Sequence, residues 1–411
     1  MTEANPRRIA VIGGGIIGTC TAFYLQRLAA TRGRSVSVSL IEGSQIAAGA
    51  SGKAGGLLAL DWHGPATASL ATLSYSLHAQ LAQELGGESK WGYRKLDTLS
   101  LSADLSSSTA SSAAKKSRAR KLKQDDLFNW LNKELLTATD VLASQETTAQ
   151  VHPELFTRAI AEQAQKEGVE IVYGTVDSLR RLDDAYEVTV SPRNADFPSP
   201  AADDDATSGE PSARHLVFDQ VIVAAGPWTG RLVSTLGLGA AAGRAKAIRG
   251  SRAHSVVIRS PEGKTLPAQA LFTSIKEQKG KHAEPEIYNR PDGTAYACGP
   301  TDDSDLPKHA SDVTISQSAI ASLLAQTAQL APDYLDHENG ARVEREQACY
   351  LPVGSGDPVL GKIEGQGDTG VWVASGHSCW GICNGPGTGK VMAELVLHGK
   401  ATSADISQLG P

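Results

Sequence analysis

The sequence predicts an α/β fold: a strand–helix–strand unit at the N-terminus, with an α+β region of short, mostly antiparallel strands interleaved later in the chain. Three observations predict it. Residues 8–12 and 36–41 are apolar strand-like runs flanking a helical pattern from Ile16 to about Ala30. Between residues 243 and 350 the segments are short and β-like (253–258, 268–275, 286–289 and 294–298), with one helix near 316–330. The last 40 residues return to a strand at 371–374, a glycine-rich stretch and a helix near 387–398. A chain of 411 residues is long for one ordinary domain and suggests two domains or one large interleaved unit.

The remaining elements follow in order. Helical signal returns near 66–85. Residues 102–126 are Ser/Ala-rich and then basic, and read as an exposed insert. The amphipathic stretch after it (Leu127, Phe128, Leu131, Leu135) reads as a packed helix. A helix at 153–167 precedes a strand from Val169 to Tyr173, and two strand-like runs straddle 176–190. A second low-complexity insert, Arg193 to Arg214, looks like a hairpin tip that has been lengthened, and a single strand from Leu216 to Ala224 follows.

Composition narrows the function. A formal charge of −6 argues against nucleic acid, which calls for a basic face. No apolar run reaches the roughly 18–20 residues needed to span a bilayer. The N-terminus lacks a signal peptide's apolar segment, and five scattered cysteines do not make a secreted disulfide framework. A cytoplasmic setting is expected. Cys379 and Cys383 lack a matching His/Cys set, so no metal site is expected.

Gly13-Gly14-Gly15-Ile16-Ile17-Gly18 satisfies Gly-x-Gly-x-x-Gly between a strand and a helix, the context that gives this motif its meaning. Gly13 makes the tight turn, Gly15 leaves room for a pyrophosphate and Gly18 lets helix and strand pack closely. The helix N-terminus offers free N–H groups to phosphate, together with Ile16 and Ile17. Glu42, at the end of the second strand with Gly43 and Ser44 beyond it, is placed to accept hydrogen bonds from ribose hydroxyls. These features predict a Rossmann-type dinucleotide site. The choice between FAD and NAD rests on two further glycine-rich segments: Ser51-Gly52-Lys53-Ala54-Gly55-Gly56, and Gly376-His377 through Gly381 to Gly385-Pro386-Gly387-Thr388-Gly389. A second glycine-rich helix start supplies a positive dipole where a flavin builds negative charge on reduction, which a nicotinamide does not require. FAD is the expected cofactor.

With Val151-His152-Pro153 leading to Gly174-Thr175-Val176, and Ala224-Ala225-Gly226-Pro227-Trp228, these segments make the chain resemble the D-amino-acid-oxidase-like flavoproteins, which include glycine oxidase and sarcosine oxidase. The C-terminal block has the glycine-oxidase-like spacing. Glu286-Ile287-Tyr288 and Gln347-Ala348-Cys349-Tyr350 are similar to a group of fungal FAD-dependent oxidoreductases. The resemblance implies a bilobed fold with the flavin between the lobes. It implies that residues 51–56 and 376–389, with Ala225, Gly226 and Trp228, contact the cofactor, and Val176 its adenine. The division it implies is an FAD-binding domain of residues 1–90, 150–242 and 352–411, a substrate domain of 91–149 and 243–351, and flexible inserts at 102–126 and 193–214.

The implied reaction oxidises the C–N bond of a small amine or amino acid by hydride transfer to flavin N5, with oxygen as acceptor. Lys53, His377 and Trp380 are the candidate catalytic residues: Lys53 as the cation that assists oxygen, His377 shaping the flavin pocket, and Trp380 with Tyr288 walling the substrate site. Relatives of the glycine-oxidase kind hold the substrate carboxylate with an Arg just before a Pro. Here that position is Leu351, which disfavours an amino-acid substrate unless Arg249, Arg252, Arg342 or Arg345 substitutes. Some sarcosine-oxidase-like relatives bind flavin covalently to a cysteine in the segment that here holds Cys349. The C-terminal spacing favours a free flavin and an ordinary buried cysteine there. Two other readings stay open: a dehydrogenase with another electron acceptor, and a flavin-binding partner or assembly factor with vestigial catalysis.

Overall fold

The computed structural model describes residues 6–106, 126–192, 212–238 and 242–411. Residues 107–125 and 193–211, which hold most of the two expected inserts, lie outside them. The fold is a mixed α/β fold built on two large sheets. The first has six strands in the order Val359–Glu364, Gly370–Ser375, Gln220–Val223, Arg7–Ile12, Val36–Glu42, Glu170–Tyr173. All its pairings are parallel except that of the first two strands. Ile9, Ala10, Val11 and Ile12 are buried in succession because both faces of a parallel sheet are covered.

One face packs against helices Ile16–Thr31, Pro153–Lys166 and Gly381–His398, through Ile9, Val11, Phe23, Ile160 and Val391. The other packs against a three-stranded antiparallel sheet (Thr175–Arg181, Tyr186–Ser191, Arg214–Phe218) and helix Thr229–Ser234, through Ala10, Ile12, Val188 and Val233. The strand expected at 216–224 is two strands. The chain breaks at Asp219, whose carboxylate takes the Arg8 backbone N–H at 2.8 Å, and steps from the small sheet into the large one.

The second large sheet has eight strands and is antiparallel apart from the parallel pair Asp97–Asp104 and Gln269–Lys276. Its main path runs Arg342–Val353, Arg249–Arg259, Thr294–Asp302, Glu286–Asn289, Gln269–Lys276, Asp97–Asp104, Leu136–Ala143, with His282–Ala283 beside Gln269–Lys276. Alternation sends Leu271, Ile287, Ala297, Val256 and Ile258 to one face, beneath Ile320 and Leu323 of helix Gln317–Leu330. The opposite face carries Ala270, Tyr288, Tyr296 and Val257.

Three further expectations need correction. Residues 102–104 belong to strand Asp97–Asp104 and not to an insert. The stretch 127–135 is no helix beyond the single turn Asp126–Phe128. Asn132 N–H bonds Leu330 O at 2.7 Å, so tertiary partners take its backbone groups while Phe128 and Leu131 are buried. The C-terminal helix starts at Gly381, with Pro386 inside it, where glycine and proline content suggested loop. Close helix packing outweighs local propensity there.

Candidate active site

The turn after the first strand is shaped by what its glycines exclude. Gly13 has φ +113°, and a Cβ on it would lie 2.5 Å from Ala224 O. A Cβ on Gly18 would run into Gly13 O. Gly15 is different: the nearest atom to its Cβ would be Ser51 Oγ, at 3.1 Å, and the residue borders a cavity. Glu42 holds the turn, with Oε2 accepting from Gly14 N at 2.7 Å and Oε1 from Ser44 N at 2.7 Å. Ser51, on the short helix Ala50–Lys53, accepts from Ile16 N at 2.9 Å.

A cavity of about 310 Å³ runs along this turn. One end is lined by Glu42, Gly43, Ser44 and Val176, the middle by Gly13, Gly15, Ile16, Ile17, Ser51 and Ala54, and the far end by Leu351, His377, Ser378, Cys379 and Gly381. Ala225, Gly226 and Trp228 border it too. Residues 307–310, with no signal in the sequence, form a strap at the Val176 end. Trp228 Nε1 donates to Pro307 O at 2.8 Å, Lys308 pairs with Asp177 at 3.7 Å, and Lys308, His309 and Ala310 line the cavity.

Other expected site residues stand behind the lining. Gly52, Gly55 and Gly56 admit neighbours: a Cβ on Gly52 would strike Ala47 O, on Gly55 the Tyr288 ring and on Gly56 Val151 O. Gly376 (φ +84°) forms the turn before His377. Gly385, Gly387 and Gly389 let the C-terminal helix approach Ile16, the helix Pro65–Leu85 at Leu70 and Ser74, and Cys20. Pro386 and Thr388 are buried in the same helix. Thr388 Oγ1 lies 2.9 Å from His377 Nε2. Burial pushes His377 down to about 3, so the ring is neutral, and its Nδ1 is buried without a partner. Ser378 has φ 50°, an uncommon value for a residue with a side chain, at the cavity wall.

Lys53 is not in the lining. Its Nζ donates to Ala348 O at 3.0 Å, and burial lowers its pKa while nearby Cys349 raises it. Burial pushes the Cys349 thiol up to about 11, which disfavours the thiolate. The Trp380 ring lies 4.3 Å from that of His63, tilted by 55°. Leu351 borders the cavity, and the four arginines named above do not replace a charge there. Arg252 pairs with Asp302, Arg345 with Glu154, and Arg249 and Arg342 are exposed. Among the described residues, no group of three or more His, Cys, Asp or Glu is placed to hold a metal, and no helix is long and apolar enough to cross a membrane.

The residues present fit a flavin dinucleotide. Gly15 leaves open the space a side chain would fill, Glu42 is an acceptor beside it, and His377 Nδ1 is an unpartnered polar atom at the far end. The family model for FAD dependent oxidoreductases matches residues 8–395. The chain is 36% identical over 413 residues to the Schizosaccharomyces pombe protein named "Putative oxidoreductase C1F5.03c", covering 99% of this chain and 98% of that one. Its fold is similar to that of glycine oxidase from Geobacillus kaustophilus, at TM-score 0.70 and 21% identity, covering 98% of each chain. It is also similar to L-proline dehydrogenase from P. horikoshii, at TM-score 0.70 and 17% identity, covering 99% of this chain and 97% of that one.

Proposed function

This chain belongs to the family of FAD dependent oxidoreductases, and from that premise we propose that it oxidises the C–N bond of a small amine, with oxygen as the final acceptor. The observation that carries the reading is one continuous cavity. It joins the Gly15–Glu42 cradle to a far end where Leu351, from the eight-stranded sheet, meets His377 and Cys379. When bound, the flavin supplies a two-electron hydride acceptor.

The chain's own residues then have distinct tasks. Glu42 accepts ribose hydroxyls, and the backbone at Gly15 admits the pyrophosphate. The N-terminus of helix Gly381–His398 brings partial positive charge to the far end of the cavity, favouring negative charge that develops there. Neutral His377, tied to Thr388, gives that end shape without adding charge. Lys53 contributes a cation at the edge of the sheet, where it favours reduction of oxygen to an anionic product. Leu351 presents no charge, so a substrate carboxylate lacks the partner that glycine-oxidase-like enzymes offer it.

The test is a substrate screen with the purified holoprotein. Amines should give peroxide in proportion to the aldehyde or ketone released. Turnover by amines only with an artificial electron acceptor would assign a dehydrogenase. No turnover with any amine would refute the reading.

A further inference from the structure

We propose that Glu286 anchors a second, cationic nitrogen of the substrate, remote from the C–N bond that is oxidised, so that the preferred substrate is a dibasic amine without a carboxylate. The proposal rests on the amine-oxidising reading and names the substrate class of that site.

The register of the sheet places Glu286. In Glu286–Asn289 it pairs with Phe272 on one side and Cys298 on the other, while Tyr288 pairs with Ala270 and Tyr296. Alternation puts Glu286, Tyr288, Phe272, Tyr296 and Cys298 on the face opposite helix Gln317–Leu330. Across the neighbouring strands, Cys298 pairs with Ser255 and Ser255 with Gln347, and two further steps of two along that last strand reach Leu351. Glu286 therefore shares a face with the residue that borders the cofactor cavity. Tyr288 bears directly on Gly55, four residues after Ser51. Cys379, which lines the cavity, is close enough for the Glu286 charge to raise its thiol pKa, after burial.

The chemistry of Glu286 calls for a cation. Oε2 accepts from the Tyr288 hydroxyl and lies 3.8 Å from Cys298 Sγ. Among the described residues no Lys, Arg or His pairs with this carboxylate, and burial raises its pKa against the effect of those two hydrogen bonds. A half-buried carboxylate without a counter-ion carries a desolvation cost, and a ligand ammonium offsets that cost. Aromatic rings stand near the carboxylate on this side of the sheet: the ring centroid of Phe272 lies 6.2 Å from that of Tyr288 and 5.4 Å from that of Trp62, and those of Tyr288 and Tyr296 lie 5.8 Å apart. Such faces attract ammonium groups. With Leu351 in place of a carboxylate-binding arginine, the polarity of recognition at this sheet is reversed.

The experiment measures binding to the holoenzyme by calorimetry, using straight-chain diamines of three to six carbons, each against the monoamine of equal length. The wild type is expected to bind at least one diamine about ten-fold or more tighter than its monoamine. Glu286→Gln, which keeps the shape and the Tyr288 contact, should abolish that preference and leave monoamine affinity within about two-fold. Equal affinity for every pair in the wild type overturns the proposal, independently of whether the variant folds. So does a preference that persists in a flavin-replete Glu286→Gln enzyme. Selective diamine binding that depends on Glu286, without oxidation of any amine, sinks the oxidation reading and keeps the cation site. Oxidation of monoamines with no diamine preference does the reverse.

Discussion

Glu42 Oε2 accepts the backbone N–H of Gly14 at 2.7 Å, fastening the end of the second strand to the turn that follows the first. The turn is thereby held open at Gly15, and two nearby substitutions should have separable effects. Gly15→Val puts a side chain into the cavity and should abolish flavin retention while the apoprotein stays folded. Gly18→Val collides with Gly13 O and should cost about 1–3 kcal/mol or more of stability as well. Flavin absorbance per chain, read beside apoprotein melting temperature, checks both. Full flavin occupancy in Gly15→Val contradicts the assignment.

The strap over the Val176 end should slow release of the cofactor. Trp228→Phe keeps an aromatic side chain but loses the bond to Pro307 O, a contact worth about 1 kcal/mol, so flavin should dissociate about five-fold faster. Stopped-flow recovery of flavin fluorescence after dilution measures it. An unchanged rate contradicts a role for the strap.

Lys53 stands 3.0 Å from Ala348 O, half-buried, with a lowered pKa. Lys53→Met should slow the reaction of the reduced enzyme with oxygen by about ten-fold or more while leaving anaerobic reduction by amine within about two-fold. Equal loss in both half-reactions would mean a structural role.

Stability should depend on pH through buried histidines. Burial holds His78 and His152 down to about 4 and His377 down to about 3, with Arg290 adding to the effect at His152. In the unfolded chain each titrates near 6.5. The unfolded state therefore binds more protons between these values. The stability that neutral rings confer is complete above about pH 6.5 and is lost as pH falls toward their folded values, at about 1.4 kcal/mol per histidine per pH unit. Melting temperature should drop steeply from pH 7 to 5, and less steeply in His78→Gln, which can keep a donor toward Ile382 O. A flat profile contradicts this.

The N-terminal strand–helix–strand unit was legible because its signals are local. Gly13, Gly15, Gly18 and Glu42 lie within one strand–helix–strand unit, where backbone sterics dictate residue type. The strap residues Lys308 and His309 were not legible, since nothing near them in the chain marks a partner at Asp177 or Trp228. Gly381 to Gly385 read as loop, with the helix opening only near Gly387, because propensity is a local quantity, whereas the helix runs on from Gly381 through its contacts with Ile16, Leu70 and Cys20. The strand Arg342–Val353 escaped notice because it opens with five exposed, mostly charged residues at the edge of its sheet. Glu286 was visible only as part of a resemblance; its lack of a cationic partner is a property of the folded face.

The central claim, that a flavin in this cavity takes electrons from an amine, is tested most directly by anaerobic titration of the purified yellow protein. Amines without a carboxylate should bleach the flavin band fully, and admitted air should restore it within seconds, whereas glycine and N-methylglycine should leave it nearly unchanged. Bleaching by glycine and N-methylglycine in preference to every other amine would contradict the part played by Leu351, and a flavin band that no amine bleaches would contradict the account as a whole.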